Sequence, residues 1–158
     1  SYRYQDLVVW QKSRELAGAV YRASQGFPAS ELYGLTSQVR RAAVSVSSNI
    51  AEGQGRLRVG EFRHFLGQSR GSLFELETQL AIAFDLGFLD QAEFNKLGSY
   101  TTEVRRLLNG LLNSLRSTVA SERPSKQLGF ETRNLKLELD PMLVFRKPLE
   151  GIERPQME

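Results

Sequence analysis

The stretch RRAAVSVSSNIAEG, residues 40–53, decides the fold. Val39, Ala42, Val46 and Ile50 recur at three- and four-residue steps and extend the seam begun by Leu32 and Leu35. That spacing predicts an amphipathic helix. A second row, Arg41, Ser45, Ser48 or Asn49, and Glu52, keeps the same period and lies on one face beside the apolar seam. Most of the remaining side chains are alanine or serine, so a neighbouring helix can approach closely. A helix built in this way calls for a helical partner, and the chain supplies three more.

Working outward, this helix starts after the cap candidate Ser30 and stops near Gly53, where Gly53-Gln54-Gly55 supplies a C-terminal signal. An earlier helix is expected over residues 6–25, with Asp6 as its cap, Val9, Leu16, Val20 and Ala23 in register, and Gly26-Phe27-Pro28 as its stop. A third covers residues 60–86, with Phe62, Phe65, Ser69, Leu73, Leu76, Leu80 and Ala83 in heptad-like spacing. The fourth opens on a capping box, Asp90-Gln91-Ala92-Glu93, and carries Phe94, Leu97, Thr101, Val104, Leu108, Leu111 and Leu115. Short connections make neighbours antiparallel, so the fold class is all-α: an up-and-down four-helix bundle over residues 1–121. Trp10 and Phe27 read as packing anchors.

After residue 121 the pattern changes. Pro124, Pro141, Pro148 and Pro155 punctuate residues 122–158, and helical periodicity ends. Leu135, Leu137 and Leu139 alternate with charges, and Leu143-Val144-Phe145 forms a second apolar cluster. The expectation is an extended, non-helical C-terminal tail that docks on a groove or on a neighbouring subunit.

Composition narrows the chemistry. The 158 residues include no cysteine, which excludes disulfides, Cys-ligated zinc and thiol catalysis and favours a cytoplasmic setting. No apolar run approaches the roughly 18 residues of a membrane span. Net charge is only +3, but 12 of the 14 basic residues before position 122 are arginine, the side chain suited to bidentate phosphate contacts. No Gly-x-Gly-x-x-Gly, phosphate-binding loop or nucleophile elbow occurs. Glu61-x-x-His64 has the spacing of a di-metal bundle ligand pair, yet the chain holds a single histidine and cannot complete such a set. No metal, no cofactor and no catalytic residue is expected.

Two constellations remain. Arg56-Leu57-Arg58, bracketed by Gly55 and Gly60 and followed by Arg63, His64 and Arg70, concentrates cations at a helix-end loop, with Arg40 and Arg41 as further candidates. Arg105 and Arg106 extend the set. These arginines suit nucleic-acid backbone, and the absence of interleaved aromatics argues against base readout. The competing reading is a solvated loop. The second constellation pairs Arg41, Ser45, Asn49 and Glu52 with Gln68, Ser72, Glu75 and Gln79 of the third helix, as a polar network between helices or between subunits. Gly67-x-x-x-Gly71 and Ser72 keep the third helix slender, which predicts close contact with the second.

Several blocks are also familiar as a set. Tyr4-Gln5-Asp6-Leu7-Val8-Val9-Trp10-Gln11-Lys12, Phe27-Pro28 with Glu31-Leu32-Tyr33-Gly34-Leu35, Gln38 with Arg40 to Gly53, and Phe65-Leu66 with Gly71-Ser72 and Glu75-Leu76-Glu77 occur in order. Over residues 2–120 the chain resembles the four helix bundle protein family. That family includes proteins encoded in intervening sequences of 23S ribosomal RNA genes and accessory variability determinants of diversity-generating retroelements. The resemblance implies a bacterial, homopentameric ring acting near RNA or a reverse transcriptase, without catalysis. Residues after 121 depart from the short family pattern. The resulting expectation is an oligomeric scaffold or accessory protein contacting RNA or DNA backbone. The alternative is a protein–protein adaptor ring that uses its tail and has no nucleic-acid role.

Overall fold

A computed structural model describes residues 3–121, and the expected tail docking concerns residues outside that range. Four helices make up the fold: α1 Val8–Ser24, α2 Leu35–Gln54, α3 Val59–Asp85 and α4 Gln91–Ser121. One-turn 3₁₀ helices, Tyr4–Asp6 and Ala29–Glu31, precede α1 and α2. The all-α, four-helix expectation holds. Cross-helix contacts establish the antiparallel order: Ser45 meets Ser72, Val46 meets Ser69, Arg105 meets Glu77, and Asn109 meets Arg70.

The core is aliphatic. Leu16 and Val20 of α1, Val39, Val46 and Ile50 of α2, Leu66, Leu73 and Leu76 of α3, and Val104, Leu108 and Leu115 of α4 are all essentially inaccessible to solvent. Phe27 closes one end by packing on Phe88, with ring centroids 5.7 Å apart. Trp10 is half-buried against the core and meets Tyr4 edge-on at 5.2 Å. Both aromatics therefore serve packing.

Two helix starts differ from the sequence reading. Asp6 ends the first 3₁₀ turn, and its Oδ2 accepts from the Arg3 N–H at 3.0 Å. Leu7, almost fully buried, is the N-cap of α1, so burial of an apolar side chain overrides the usual polar cap. Ser30 likewise lies in a 3₁₀ turn. The role assigned to it falls to Glu31, whose Oε2 accepts from the Leu35 N–H at 2.9 Å. Leu32, expected in the core seam, consequently sits before the helix and is 51% exposed. At α4 the capping box forms as read: the Glu93 N–H donates to Asp90 Oδ1 at 2.8 Å, and the Asp90 N–H donates to Glu93 Oε2 at 3.2 Å.

The close approach of α2 and α3 is real, but a different glycine permits it. At Gly53 a Cβ would lie 2.7 Å from the Phe65 Cβ and 3.0 Å from Phe62 Cδ2. Gly53, read as part of a helix stop, is a buried residue of α2 at the α3 contact. At Gly67 and Gly71 a Cβ would meet nothing within 4 Å, so these positions point away from α2. The reason is rotation along the helix. Position 69, between them, faces α2, and its neighbours two residues away are displaced by roughly 200°.

Gly53→Ala should therefore lower stability by about 1–3 kcal/mol, because the Phe65 Cβ is fixed to its backbone and cannot swing aside. Gly71→Ala should instead raise the stability of the isolated subunit by about 0.5–1 kcal/mol. Chemical denaturation of the two variants measures both.

Candidate nucleic-acid interface

The α2–α3 connection is a tight turn. The Gly55 and Arg56 N–H groups donate back to the carbonyls of Ala51 and Gly53, which leaves residues 56–58 projecting from the bundle end. Leu57 at the tip is 93% exposed. Arg56 folds back: its Nη2 donates to Glu52 Oε1 at 2.6 Å, and its guanidinium lies 4.7 Å from the Phe65 ring centroid. Arg58, the N-cap residue of α3, is exposed and has no partner among the described residues. Arg63 is half-buried, and its Nε has no acceptor. These three arginines share one end of the molecule.

The other arginine candidates are elsewhere. Arg40 is docked on α1, with its Nε donating to Ser24 Oγ at 2.8 Å, its Nη2 reaching the Tyr21 carbonyl, and its guanidinium stacked 4.8 Å from the Tyr21 ring centroid. Sixteen residues of helical rise place it about 24 Å from Arg56. Arg41 is exposed and has no partner among the described residues. Arg70 donates to Asn109 Oδ1 at 3.3 Å, and Arg105 grips both carboxylate oxygens of Glu77 at 2.8 and 3.1 Å. The arginine set does not form one patch. Arg105 and Arg70 tie α4 to α3, and Arg40 ties α2 to α1.

The antiparallel topology adds two residues that the linear sequence concealed. The start of α1, the α2–α3 turn and the end of α4 meet at one end, which brings exposed Arg3 and Arg116 to the level of Arg56, Arg58 and Arg63. Of the acids at this end, Asp6 is bonded to the Arg3 backbone, Glu52 is paired with Arg56, and Glu61 is exposed. The opposite end holds Glu31, Asp85, Asp90 and Glu93 with Arg22, Lys96 and the guanidinium of Arg40, docked on Ser24. The bundle is thus polarised along its axis, basic where α2 turns into α3. This was legible in the sequence by folding the four helices on paper and comparing their ends.

The polar network forms only at its centre. The Ser45 and Ser72 hydroxyls are 2.8 Å apart, and Asn49 Nδ2 donates to the Ser45 carbonyl at 2.9 Å and to its Oγ at 3.0 Å. Ser69, fully buried, donates to the Val46 carbonyl at 2.7 Å. The outer members pair within their own helices instead: Glu52 with Arg56, Gln68 with His64, and Glu75 with Gln79. Ser48 is exposed. Each four-residue step along a helix advances about 40° beyond a full turn, which swings Arg41 outward from Ser45 while Asn49 turns inward. His64 Nε2 lies 3.0 Å from the Gln68 amide, and its ring meets Phe65 edge-on. Among the described residues no group of three or more His, Asp or Glu side chains is placed to hold a metal ion, and no helix is long and apolar enough to cross a membrane.

A double-mutant cycle between Ser45→Ala and Ser72→Ala should show a coupling of about 0.5–1.5 kcal/mol in unfolding free energy. Arg41→Ala and Glu52→Ala should instead add to within about 0.5 kcal/mol, since no shared partner links them.

Comparison with known proteins places this geometry. The fold is similar to that of a solved protein of unknown function from the S23 ribosomal protein family of Bacteroides thetaiotaomicron, with a TM-score of 0.62 at 20% identity, over 66% of this chain and 98% of that one. No curated protein matches. The family model described as 23S rRNA-intervening sequence protein matches residues 5–110 and takes in both the basic turn and the serine bridge, and the chain belongs to that family.

Proposed function

We propose that the protein is a non-catalytic, homo-oligomeric scaffold whose basic end holds RNA or DNA by its phosphate backbone. The observation that carries this reading is the axial charge polarity. Arg3, Arg56, Arg58, Arg63 and Arg116 outnumber Asp6, Glu52 and Glu61 at the end where α2 turns into α3, while Glu31, Asp85, Asp90 and Glu93 outnumber Arg22, Arg40 and Lys96 at the other. Arg58 is free of intramolecular partners among the described residues, and Arg56 is offset by one exposed carboxylate. Such groups exchange water for phosphate at little cost, unlike Arg40 or Arg105. Membership of a family named for intervening sequences of ribosomal RNA makes structured RNA the first ligand to test.

Oligomerisation is part of the proposal. The outward faces of α2 and α3 carry Ser37, Val44, Ser48, Gly60, Gly67 and Gly71, with open space beside all three glycines. Glycine inside a helix costs on the order of 1 kcal/mol relative to alanine, so outward-facing glycines are consistent with a second subunit packing there. A ring of five, as the family resemblance implies, would gather five modest basic ends into one strong rim and supply a platform for a partner such as a reverse transcriptase.

The test uses a structured RNA hairpin and the full chain at a series of salt concentrations. Replacing Arg56, Arg58 and Arg63 together by alanine should abolish retention at moderate salt and reduce the slope of log affinity against log salt by about 3. Arg40→Ala should leave RNA affinity unchanged while lowering stability by about 1–2 kcal/mol, through loss of its Ser24 and Tyr21 contacts. Binding that ignores salt, or a triple variant that binds as the parent does, would overturn the proposal.

A further inference from the structure

The acidic end of the bundle has a second property that nucleic-acid binding leaves unused. Leu32 is 51% exposed, Tyr33 94%, Ile82 44% and Leu86 58%. All four lie in or beside the α1–α2 and α3–α4 connections, which the Phe27–Phe88 contact holds together. The same end carries Asp85, the last residue of α3, Asp90 in the α3–α4 connection and Glu93 in the first turn of α4, against Lys96, Arg22 and Arg40, the last docked on Ser24. A ligand matched to this end presents large apolar groups next to positive charge.

The chain contains such a segment. Between Pro141 and Pro148 it reads Met142-Leu143-Val144-Phe145-Arg146-Lys147, four apolar residues followed by two cations. We propose that residues 142–147 bind the acidic, apolar end of their own bundle. Reach permits it. Helix α4 is 31 residues long, about 46 Å, and ends at the opposite pole. The twenty or so residues from there to position 142 span up to about 70 Å.

Magnitude favours a tethered segment over a second copy. The end of a bundle two helices wide is about 20 Å across, roughly 400 Å². A stable protein–protein contact takes roughly 800 Å² from each partner. A segment of the same chain is present at an effective concentration in the millimolar range, so a small patch holds it. The inference does not depend on the RNA reading, because it concerns the opposite pole.

The lack of cysteine makes the experiment clean. Ser30→Cys and Pro148→Cys are introduced into the full chain, nitroxide labels are attached, and the distance between them is measured by pulsed electron paramagnetic resonance. A single short distance is expected. Reversing the segment's charges with Arg146→Glu and Lys147→Glu should shift the bound-to-free ratio toward free on the order of fivefold. Adding Asp85→Lys to that variant should restore the short distance. Broad, long distances in the parent pair would overturn the proposal. So would a short distance that is indifferent to charge reversal and to Phe145→Asp, or one seen only when singly labelled chains are mixed, which would assign the occupant to another copy.

Discussion

Two helix backbones come close enough here for a serine on one to donate to a carbonyl on the other. Ser69 reaches the Val46 carbonyl, Ser45 meets Ser72, and Gly53 lets the Phe62 ring and the Phe65 Cβ rest on the α2 backbone. At Gly53 even a Cβ would lie 2.7 Å from the Phe65 Cβ, so no larger residue fits there without forcing the helices apart. The contact runs along most of α2, so it sets the register of α2 against α3 and with it the face that each turns to the core. Val39, Val46 and Ile50 are then buried with Leu66, Leu73 and Leu76 in one hydrophobic core. The hydroxyls add specificity to the apolar driving force, because a slip along the seam would leave Ser69 buried without an acceptor.

Register and antiparallel order together create the two unlike poles. An up-and-down bundle with an even number of helices returns the end of the fourth helix to the level where the first began. Charges from residues 3, 56–63 and 116, distant in the chain, become neighbours at one pole. The acids that cap α2 and α4, Glu31, Asp90 and Glu93, are bound to the other pole by their capping work. Part of the electrostatic polarity is thus a by-product of helix capping: carboxylates belong at helix N-termini, and both α2 and α4 start at the same pole.

The arginines divide by what they already hold. Arg40, Arg70 and Arg105 have neighbours on other helices and act as cross-braces, and a phosphate would have to displace those contacts. Arg58 offers its charge unspent, and Arg56 is balanced by the exposed Glu52 while its flat face rests on Phe65. A residue type chosen for its fork of donors serves bracing and recognition equally well. Only location distinguishes the two uses.

The existence of four helices, their approximate limits, their antiparallel order and most of the core were determined by the sequence alone. Each depends on a local period, a cap or a short connection, and those are properties of neighbouring residues. The capping box at Asp90 and the seam from Val39 to Ile50 were legible for that reason. The tertiary structure decided everything that depends on azimuth. Gly53, and not Gly67 or Gly71, is the residue against which α3 packs. Ser45 and Ser72 meet while Arg41 and Glu52 turn outward, and Arg40 is tied to Tyr21 while Arg58 is free. A helix of 3.6 residues per turn does not repeat on whole residues, so a polar row read at steps of three and four drifts around the axis. How far it drifts before meeting a neighbour is fixed only when that neighbour packs.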